Sequence, residues 1–299
     1  MESGTEFDHE RKILNPSISL IVVGYRSDAV WEEFFDSLQK STRGPEHVVV
    51  VENSPIKPRI KHRSNLRISV FHLPENPGYG GAANYGYSKL TTHSDLILIC
   101  NPDLRFESDT IEHLSAKITA DHDIGIVGPS IVGPDGANYP TGRAFPRLRI
   151  GLGHALLGTI WSRNPWTQKY LGVREGSDPR IVDWVSGACM MVRRDVFDSI
   201  RGFDPEYFMF VEDVDLCFRA LQKGWKCLLV PEATVVHHGG HSTQFRKAEM
   251  ARAHHQSMQR FLSRLYNRRR DFLIRASVQV GLKLRAGLIS FLSKRKEQG

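Results

Sequence analysis

The sequence predicts an α/β protein in which helices cover both faces of a mostly parallel central sheet. Two observations support this fold class. Short apolar segments rich in β-branched residues alternate with segments of helical spacing through the first half of the chain, which is the order found in parallel sheets. Most of these apolar segments are continuous, as expected for strands buried on both faces. A chain of 299 residues is long enough to bury a large core.

Each element is predicted from its own local pattern. Apolar or β-branched runs predict strands at 18–23, 47–52, 67–72, 95–100, 124–128 and 226–230. Apolar residues at helical spacing predict helices at 29–40, 81–90, 108–120 and 213–223. Ser108 is predicted to be the N-cap of the third helix, and Gly224 is predicted to end the fourth.

The middle of the chain is less regular. Residues 129–180 are rich in Gly, Pro and Arg, and only 153–161 shows a helical pattern. A long stretch of this kind usually carries function or covers a site. Residues 182–194 predict one strand with a glycine kink, followed by a short helix.

Charge divides the chain unevenly. Residues 246–299 hold 14 Lys/Arg and three Asp/Glu, while the rest of the chain holds 26 Lys/Arg and 30 Asp/Glu. We therefore predict a polar N-terminal segment (1–16), a globular domain (17–245) and a basic amphipathic helical tail (246–299). Lys283 and Arg285 interrupt the longest apolar run of the tail, so it is expected to lie on a membrane rather than cross it. A solvated helix or a dimer contact is the alternative.

The cysteines and the N-terminus indicate a cytoplasmic compartment. The N-terminal segment lacks the apolar run of a signal peptide. The four cysteines form no C-x-x-C pair, and three of them lie inside apolar runs. We expect them to be reduced and mostly buried.

A glycine-rich turn lies at residues 75–87. Gly78, Gly80 and Ala83 match the dinucleotide pattern G-x-G-x-x-[GA], so an oxidoreductase has to be considered. That pattern belongs directly after the first strand of a βαβ unit, and residues 18–23 occupy this place without such glycines. The glycines can instead admit a phosphate or sugar nucleotide to a helix start, or form only a tight turn.

Candidate metal ligands follow two predicted strands. Asp103 lies just past the strand 95–100, and ligands of open parallel sheets bind at the carboxyl ends of strands. A carboxylate there can hold a divalent cation, although N-P-D is also an ordinary Asx turn. His237 and His238 follow a late strand, and because neighbours on an extended segment point to opposite faces, at most one is expected to be a ligand.

Three acids open the predicted helix at 213–223. Glu212, Asp213 and Asp215 suit a helix N-terminus, and Asp215 is spaced to pair with Arg219. Residues two apart on a helix point about 200° apart. Asp213 and Asp215 therefore cannot both face one site, and the pattern alone leaves open which of them does.

In their order along the chain, these stretches resemble the inverting glycosyltransferases of family 2, which have the GT-A nucleotide-diphospho-sugar transferase fold. The resemblance covers roughly residues 17–243 and is carried by "VENS", "NPGYGGAANYG", "NPD", the block 184–225 and "HHGGHS". The long block is the most specific. "SRNPWTQKY" and "HHGGHST" with a basic C-terminal extension are most similar to a branch that transfers L-rhamnose from dTDP-L-rhamnose to N-acetylglucosaminyl-diphospho-decaprenol.

The resemblance implies roles for individual residues. Asp213 would be the catalytic base, and Asp103 and His237 would hold a metal ion. Asn101 departs from the family pattern, because it replaces the first acid of the D-x-D motif. The implied donor-binding residues are Glu52, Asn76, Gly78, Asn84, Asn101 and Asp103, and the implied acceptor-side residues are Trp184, Gly187 and Glu212.

The resemblance also implies a cofactor and partners. These are Mg²⁺ or Mn²⁺, a nucleotide sugar donor, a polyprenyl-diphosphate-linked sugar acceptor and, through the tail, an anionic membrane surface. The protein would then be peripheral on the inner face of the plasma membrane, with a homodimer as the alternative use of the tail. Another donor sugar or acceptor is the alternative within the family. The position of the glycine turn argues against a nicotinamide-dependent oxidoreductase. The Phe, Leu and Ile residues interleaved in the tail argue against a nucleic-acid-binding protein, so no nucleic acid partner is expected.

Overall fold

The structure, a computed structural model, describes residues 15–61, 63–146, 178–238 and 247–267. The predicted helix at 153–161, most of the N-terminal segment and the tail from residue 268 onward lie outside these ranges. Within them, no helix combines the length and apolarity needed to cross a membrane. All four cysteines are free and buried, as predicted.

The strands are β1 (Ile18–Gly24), β2 (His47–Glu52), β3 (Ile68–His72), β4 (Leu96–Cys100), β5 (Leu104–Phe106), β6 (Ile124–Val132), β7 (Asn138–Tyr139), β8 (Gly142–Arg143), β9 (Arg180–Val182), β10 (Trp184–Val185), β11 (Cys189–Arg193) and β12 (Lys226–His237). The large sheet has the order β3-β2-β1-β4-β11-β6-β12-β5. β1 pairs in parallel with β2 and β4, β2 with β3, and β6 with β12. The predicted mostly parallel sheet is therefore confirmed.

The helices are α1 (Trp31–Gln39), α2 (Gly78–Ser88), α3 (Thr110–Ala120), α4 (Arg194–Ser199), α5 (Glu212–Gln222) and α6 (Lys247–Leu265). Helices α1 and α3 pack in one core cluster, and α2, α4 and α5 pack in another. Successive residues of β1 divide between the two, because strand side chains alternate across the sheet: Leu20 and Val22 belong to the first cluster, Ile21 and Val23 to the second. Helices thus cover both faces, as predicted.

Residues 180–193 differ most from the prediction. They form three strands in two sheets rather than one kinked strand. β10 pairs with β8 in a small sheet, whereas β11 enters the large sheet antiparallel between β4 and β6. The separation occurs at Gly187, whose N–H leaves the strand ladder and donates to the Asp213 carboxylate. Local alternation does not reveal which neighbours a short strand will join.

Two smaller predictions are also wrong. Ser108 is not the N-cap of α3, because that helix begins at Thr110 with Asp109 at the cap position and no side-chain cap bond. β12 does not end at residue 230 but continues to His237, through a local irregularity in its pairing with β6.

Helix α6, the first part of the predicted tail, packs onto the rest of the fold. Phe261 is fully buried, and its ring lies 5.8 Å from the ring of Phe145 and 5.6 Å from that of Phe218. Tyr207 and Val211 belong to the same core cluster. This helix is therefore part of the packed core, and the division of the chain at residue 245 stays a prediction.

The start of α2 yields a test of the fold. Gly78 has a left-handed φ of +81°, and a Cβ added there would lie 2.0 Å from the Phe208 carbonyl oxygen. We predict that Gly78→Ala lowers the free energy of unfolding by well over ~1 kcal/mol, because backbone strain and collision add. Gly224→Ala is the matched control, since Gly224 has a φ of +95° but nothing within 4 Å of an added Cβ. Urea unfolding compares the two variants, and equal losses would contradict the collision with Phe208.

Candidate active site

A cavity of about 450 Å³ opens at the carboxyl ends of the parallel strands, where open α/β sheets bind their ligands. We call its two sides the strand wall and the helix wall. Residues that follow β1, β2 and β4, or precede α2, form the strand wall: Tyr25, Arg26, Asn53, Asn76, Asn101 and Asp103. The small sheet, the bend between β10 and β11, α5 and α6 form the helix wall: Arg143, Trp184, Gly187, Glu212, Asp213 and His254.

Asp213 is held in the helix wall by two backbone hydrogen bonds. Its Oδ2 accepts from the Gly187 N–H and its Oδ1 from the Val214 N–H, both at 2.8 Å. Burial raises the pKa of Asp213, and these hydrogen bonds and the positive charge of Arg143 partly oppose the rise. A fixed carboxylate with a raised pKa has the properties of a general base.

Glu212 lies beside it with an unused hydrogen-bonding atom. The side chain is buried, and its Oε2 has no hydrogen-bond partner within the described residues. Burial, and then repulsion from Asp213, raises the pKa of Glu212. Because buried polar atoms are normally hydrogen-bonded and Glu212 lines the cavity, a polar group of a ligand is a candidate partner for this oxygen.

Asp215 has a different environment from its two neighbours. It is fully buried and does not line the cavity. Its Oδ2 accepts from Nε of Arg219 at 2.7 Å, and its Oδ1 accepts from the Tyr207 hydroxyl at 3.2 Å. The ion pair expected from the spacing is present, so of the two aspartates it is Asp213 that faces the site.

The backbone immediately before α5 is strained. Phe210 and Val211 have left-handed φ angles of 65° and 68°, which is unusual for an aromatic residue and more so for a β-branched one. Phe210, Val211, Glu212 and Asp213 all line the cavity. Strain of this kind persists only where the surroundings hold it, and it is common at functional sites.

The bend that carries Gly187 is held from two sides. The Tyr79 hydroxyl donates to the Gly187 carbonyl at 2.5 Å, and the Gly187 N–H donates to Asp213. Nearby, the Trp184 indole donates to the Ala144 carbonyl at 3.1 Å, and the Arg143 guanidinium lies 5.5 Å above the indole ring. The three predicted acceptor-side residues, Trp184, Gly187 and Glu212, therefore line one wall together.

Asp103 and His237 meet at the edge of the strand wall. Nε2 of His237 lies 3.1 Å from Oδ1 of Asp103, and Asp103 lines the cavity with Asn101. His238 instead places its Nε2 3.1 Å from Oε1 of Glu33. Only one of the two histidines thus joins Asp103, as the alternation of an extended segment requires. No group of three or more His, Cys, Asp or Glu suited to a metal ion occurs within the described residues.

Glu52 supports the strand wall from behind. It is 1% exposed and does not line the cavity. Its Oε1 accepts from the Arg26 N–H at 2.6 Å, and its pKa is raised, chiefly by burial. The neighbouring Asn53 lines the cavity instead. In this structure Glu52 holds the turn at Arg26, and its implied nucleotide contact stays a prediction.

Of the three donor-binding residues implied around α2, the cavity includes only Asn76. Gly78 packs against the Phe208 backbone. The Asn84 amide is paired twice with Phe203, donating to its carbonyl at 2.8 Å and accepting from its N–H at 2.9 Å. Gly78 and Asn84 thus contact the segment before α5, and direct nucleotide contact stays a prediction for both.

Several cavity residues were not predicted. Tyr25 and Arg26 directly follow β1, so the rule for strand ends could have found them. Arg143 lies on a two-residue strand, and His254 and Met258 lie on α6. The local sequence around these three residues does not indicate a site, because tertiary packing alone brings them to the cavity.

Comparison with known proteins agrees with this geometry. The family model described as glycosyltransferase like family 2 matches residues 16–255. The chain is 33% identical over 296 residues to the N-acetylglucosaminyl-diphospho-decaprenol L-rhamnosyltransferase of Mycobacterium tuberculosis, covering 94% of this chain and 95% of that protein.

Two solved structures share the fold. GalNAc-T7 with UDP, GalNAc and Mn²⁺ has a TM-score of 0.53 at 18% identity, over 74% of this chain and 43% of its own, so this chain spans less than half of that protein. The mannosyltransferase PcManGT from Pyrobaculum calidifontis, in complex with GDP-Man and Mn²⁺, has a TM-score of 0.52 at 14% identity, over 93% of this chain and 76% of its own. At these identities the likeness extends to the fold alone.

The α/β architecture, the cavity at the strand ends and the matched family model lead to one conclusion. The chain belongs to glycosyltransferase family 2 and is a glycosyltransferase with the GT-A fold.

Proposed function

We propose that this protein is an inverting transferase that moves L-rhamnose from dTDP-L-rhamnose to a lipid-diphosphate-linked GlcNAc acceptor in cell-wall or surface polysaccharide synthesis. The observation that carries the inverting reaction is the Asp213 carboxylate, fixed in the cavity wall by the Gly187 N–H. The choice of sugar and acceptor is supported by similarity to the mycobacterial relative over nearly the whole chain.

The proposed reaction needs one base. The acceptor hydroxyl loses its proton as it attacks the anomeric carbon, and Asp213 accepts that proton. Attack from the face opposite the departing dTDP inverts the anomeric configuration. The Trp184 ring offers an apolar face to a sugar, and the unpaired Oε2 of Glu212 can hydrogen-bond an acceptor hydroxyl. The strand wall, with Asn53 and Asn76, is left for the nucleotide.

Asp103 and His237 fit a divalent cation in their chemistry. Carboxylate oxygen and imidazole nitrogen both bind Mn²⁺, and carboxylate is the preferred protein ligand of Mg²⁺. Within the described ranges these two side chains meet without a third such group, and further ligands would come from the donor diphosphate or water. A cation bound there would stabilise the negative charge gained by the leaving dTDP. Asn101, in place of an acid, leaves the pair with one carboxylate.

The membrane role is proposed for the part of the tail beyond α6. Residues 268–299, outside the described ranges, carry nine Lys/Arg and two Asp/Glu among apolar residues such as Phe272, Leu273 and Phe291. Basic residues near an anionic surface contribute on the order of 1 kcal/mol each. We propose a peripheral location on the cytoplasmic leaflet, where a polyprenyl-diphosphate acceptor is accessible, with a homodimer contact as the alternative.

The transfer reaction can be tested directly. The purified protein should rhamnosylate a short soluble GlcNAc-diphosphate-lipid analogue from dTDP-L-rhamnose, with inversion detected by NMR. A panel of other nucleotide sugars should give less product. Preference for another donor would remove rhamnose from the proposal, and no product from any donor would contradict transferase activity on this acceptor.

Asp213→Asn is the matched variant for that assay. We expect kcat to fall by at least ~10²-fold while dTDP binding stays unchanged, because the amide still accepts from Gly187 but takes no proton. Since burial raises the pKa of Asp213, wild-type kcat should fall on acidification at a higher pH than the ordinary aspartate range, as protonation removes the base. Near-normal turnover of Asp213→Asn would contradict the assignment.

A metal titration separates the two histidines. Asp103→Ala and His237→Ala should each weaken the Mn²⁺-dependent binding of dTDP, measured by calorimetry, because each removes one ligand. His238→Ala is the matched control, since His238 contacts Glu33 instead. Equal effects of the two histidine substitutions would count against His237 as a ligand.

Truncation tests the tail. A chain ending at Asn267 keeps Phe261 and Arg264 in place and loses the basic segment. It should retain activity on the soluble acceptor analogue, lose co-sedimentation with anionic vesicles, and lose much of its rate on a long-chain lipid acceptor. Raised salt should weaken vesicle binding of the full chain. Undiminished vesicle binding by the truncated chain would refute the membrane role and favour the dimer contact.

A further inference from the structure

An ionic cluster joins the end of α6 to the segment around the start of α5. Arg264 donates from Nη1 to Asp215 and, at 2.8 Å, from Nη2 to Asp204. The Asp215 side chain is fully buried, and that of Asp204 is 13% exposed. One guanidinium thus bridges a residue before the strained turn at 210–211 and a residue after it.

Helix α6 contacts the same turn at two further points. The Ser257 hydroxyl donates to the Met209 carbonyl at 2.9 Å. The His254 ring lies 5.6 Å from the ring of Phe210, one of the two left-handed residues. A left-handed conformation at non-glycine residues persists only when neighbouring structure holds it. Helix α6 supplies contacts of that kind to residues 209–215.

We propose that Arg264 is a positioning residue for the catalytic base. By pairing with Asp204 and Asp215 together, it holds the 210–211 turn so that the Asp213 carboxylate meets the Gly187 N–H and faces the acceptor hydroxyl. This inference rests on the proposed function, since it takes Asp213 as the base. It extends the functional unit to a residue that does not line the cavity.

The remaining contacts distinguish positioning from general stabilisation. Without Arg264, Asp215 still has Arg219 and the Tyr207 hydroxyl. Asp204 still has Arg260, whose Nη2 lies 3.6 Å away. Neither acid is left without a partner, so the fold should survive while the bridge across the turn is lost. Misplacing a reacting group by about 1 Å can cost on the order of 10²-fold in rate.

The test uses the full chain and the soluble acceptor analogue, so that membrane binding does not enter. Arg264→Gln should lower kcat by at least ~10-fold through misplacement of the base, with the donor KM and dTDP affinity unchanged. Arg264→Lys, which keeps the charge but not the fork, should restore part of kcat. Arg252→Gln is the matched control: Arg252 is an exposed arginine of α6 with no ion pair to the described residues, and this variant should retain wild-type kcat.

Rates are normalised to intact sites counted by dTDP binding, well below the melting temperature of each variant. A lower melting temperature with wild-type kcat per intact site would overturn the proposal and leave a stabilising ion pair. If Arg264→Gln does not fold, Arg264→Lys and Asp204→Asn are compared with wild type by kcat per intact site in the same way.

Asp213→Asn, measured in parallel, separates the two possible failures. If Asp213→Asn is as active as wild type, the base assignment is wrong and the positioning role falls with it. If Asp213→Asn is inactive while Arg264→Gln keeps full kcat, only the positioning role is wrong. Loss of kcat in both variants, with dTDP affinity retained, supports the proposal.

Discussion

The hydrogen bond from the Gly187 N–H to the Asp213 carboxylate connects the parts of this structure that form the site. Gly187 lies in the bend between β10 and β11, and β11 enters the large sheet antiparallel between β4 and β6. Tyr79 of α2 holds the other side of that bend. The sheet, α2 and α5 are thereby joined where the carboxyl ends of the parallel strands meet. The two walls of the cavity are arranged around this junction.

The acids that open α5 show how environment separates chemically similar groups. Asp213 is partly buried, and its carboxylate accepts from the backbone N–H groups of Gly187 and Val214. Desolvation raises its pKa against these hydrogen bonds, and its side chain lines the cavity. Asp215 is buried deeper but is surrounded by cationic partners and a hydroxyl. Burying a carboxylate without partners costs free energy. Arg219 and Arg264 supply the partners of Asp215. Helix α6 thus contributes to the electrostatics beneath α5 as well as to the apolar core.

Part of the site was predictable because strand ends converge. Asp103 and His237 are far apart in the chain, yet Asp103 follows β4 and His237 is the last residue of β12. The carboxyl ends of these strands lie at one edge of the sheet, and the two side chains meet there. The helical period also predicted that only one of Asp213 and Asp215 could face the site. The pattern left open which one, and the burial of Asp215 and its ion pair with Arg219 in the structure decide it. Asn84 illustrates the limit: its amide is taken up by the Phe203 backbone, and such pairing depends on a loop that folds back from elsewhere in the chain.

By itself, the sequence determined the alternation of strands and helices, the two-sided core and the positions of the acids, because these follow from hydrophobic periodicity and short-range spacing. Only the tertiary structure decided that β11 runs antiparallel beside β4, that Gly187 hydrogen-bonds Asp213, and that α6 packs beside the cavity. Each of these depends on which surfaces pair over long chain separations. Pairing of that kind is selected by complementary packing, burial and charge across the whole fold, and local pattern does not encode it.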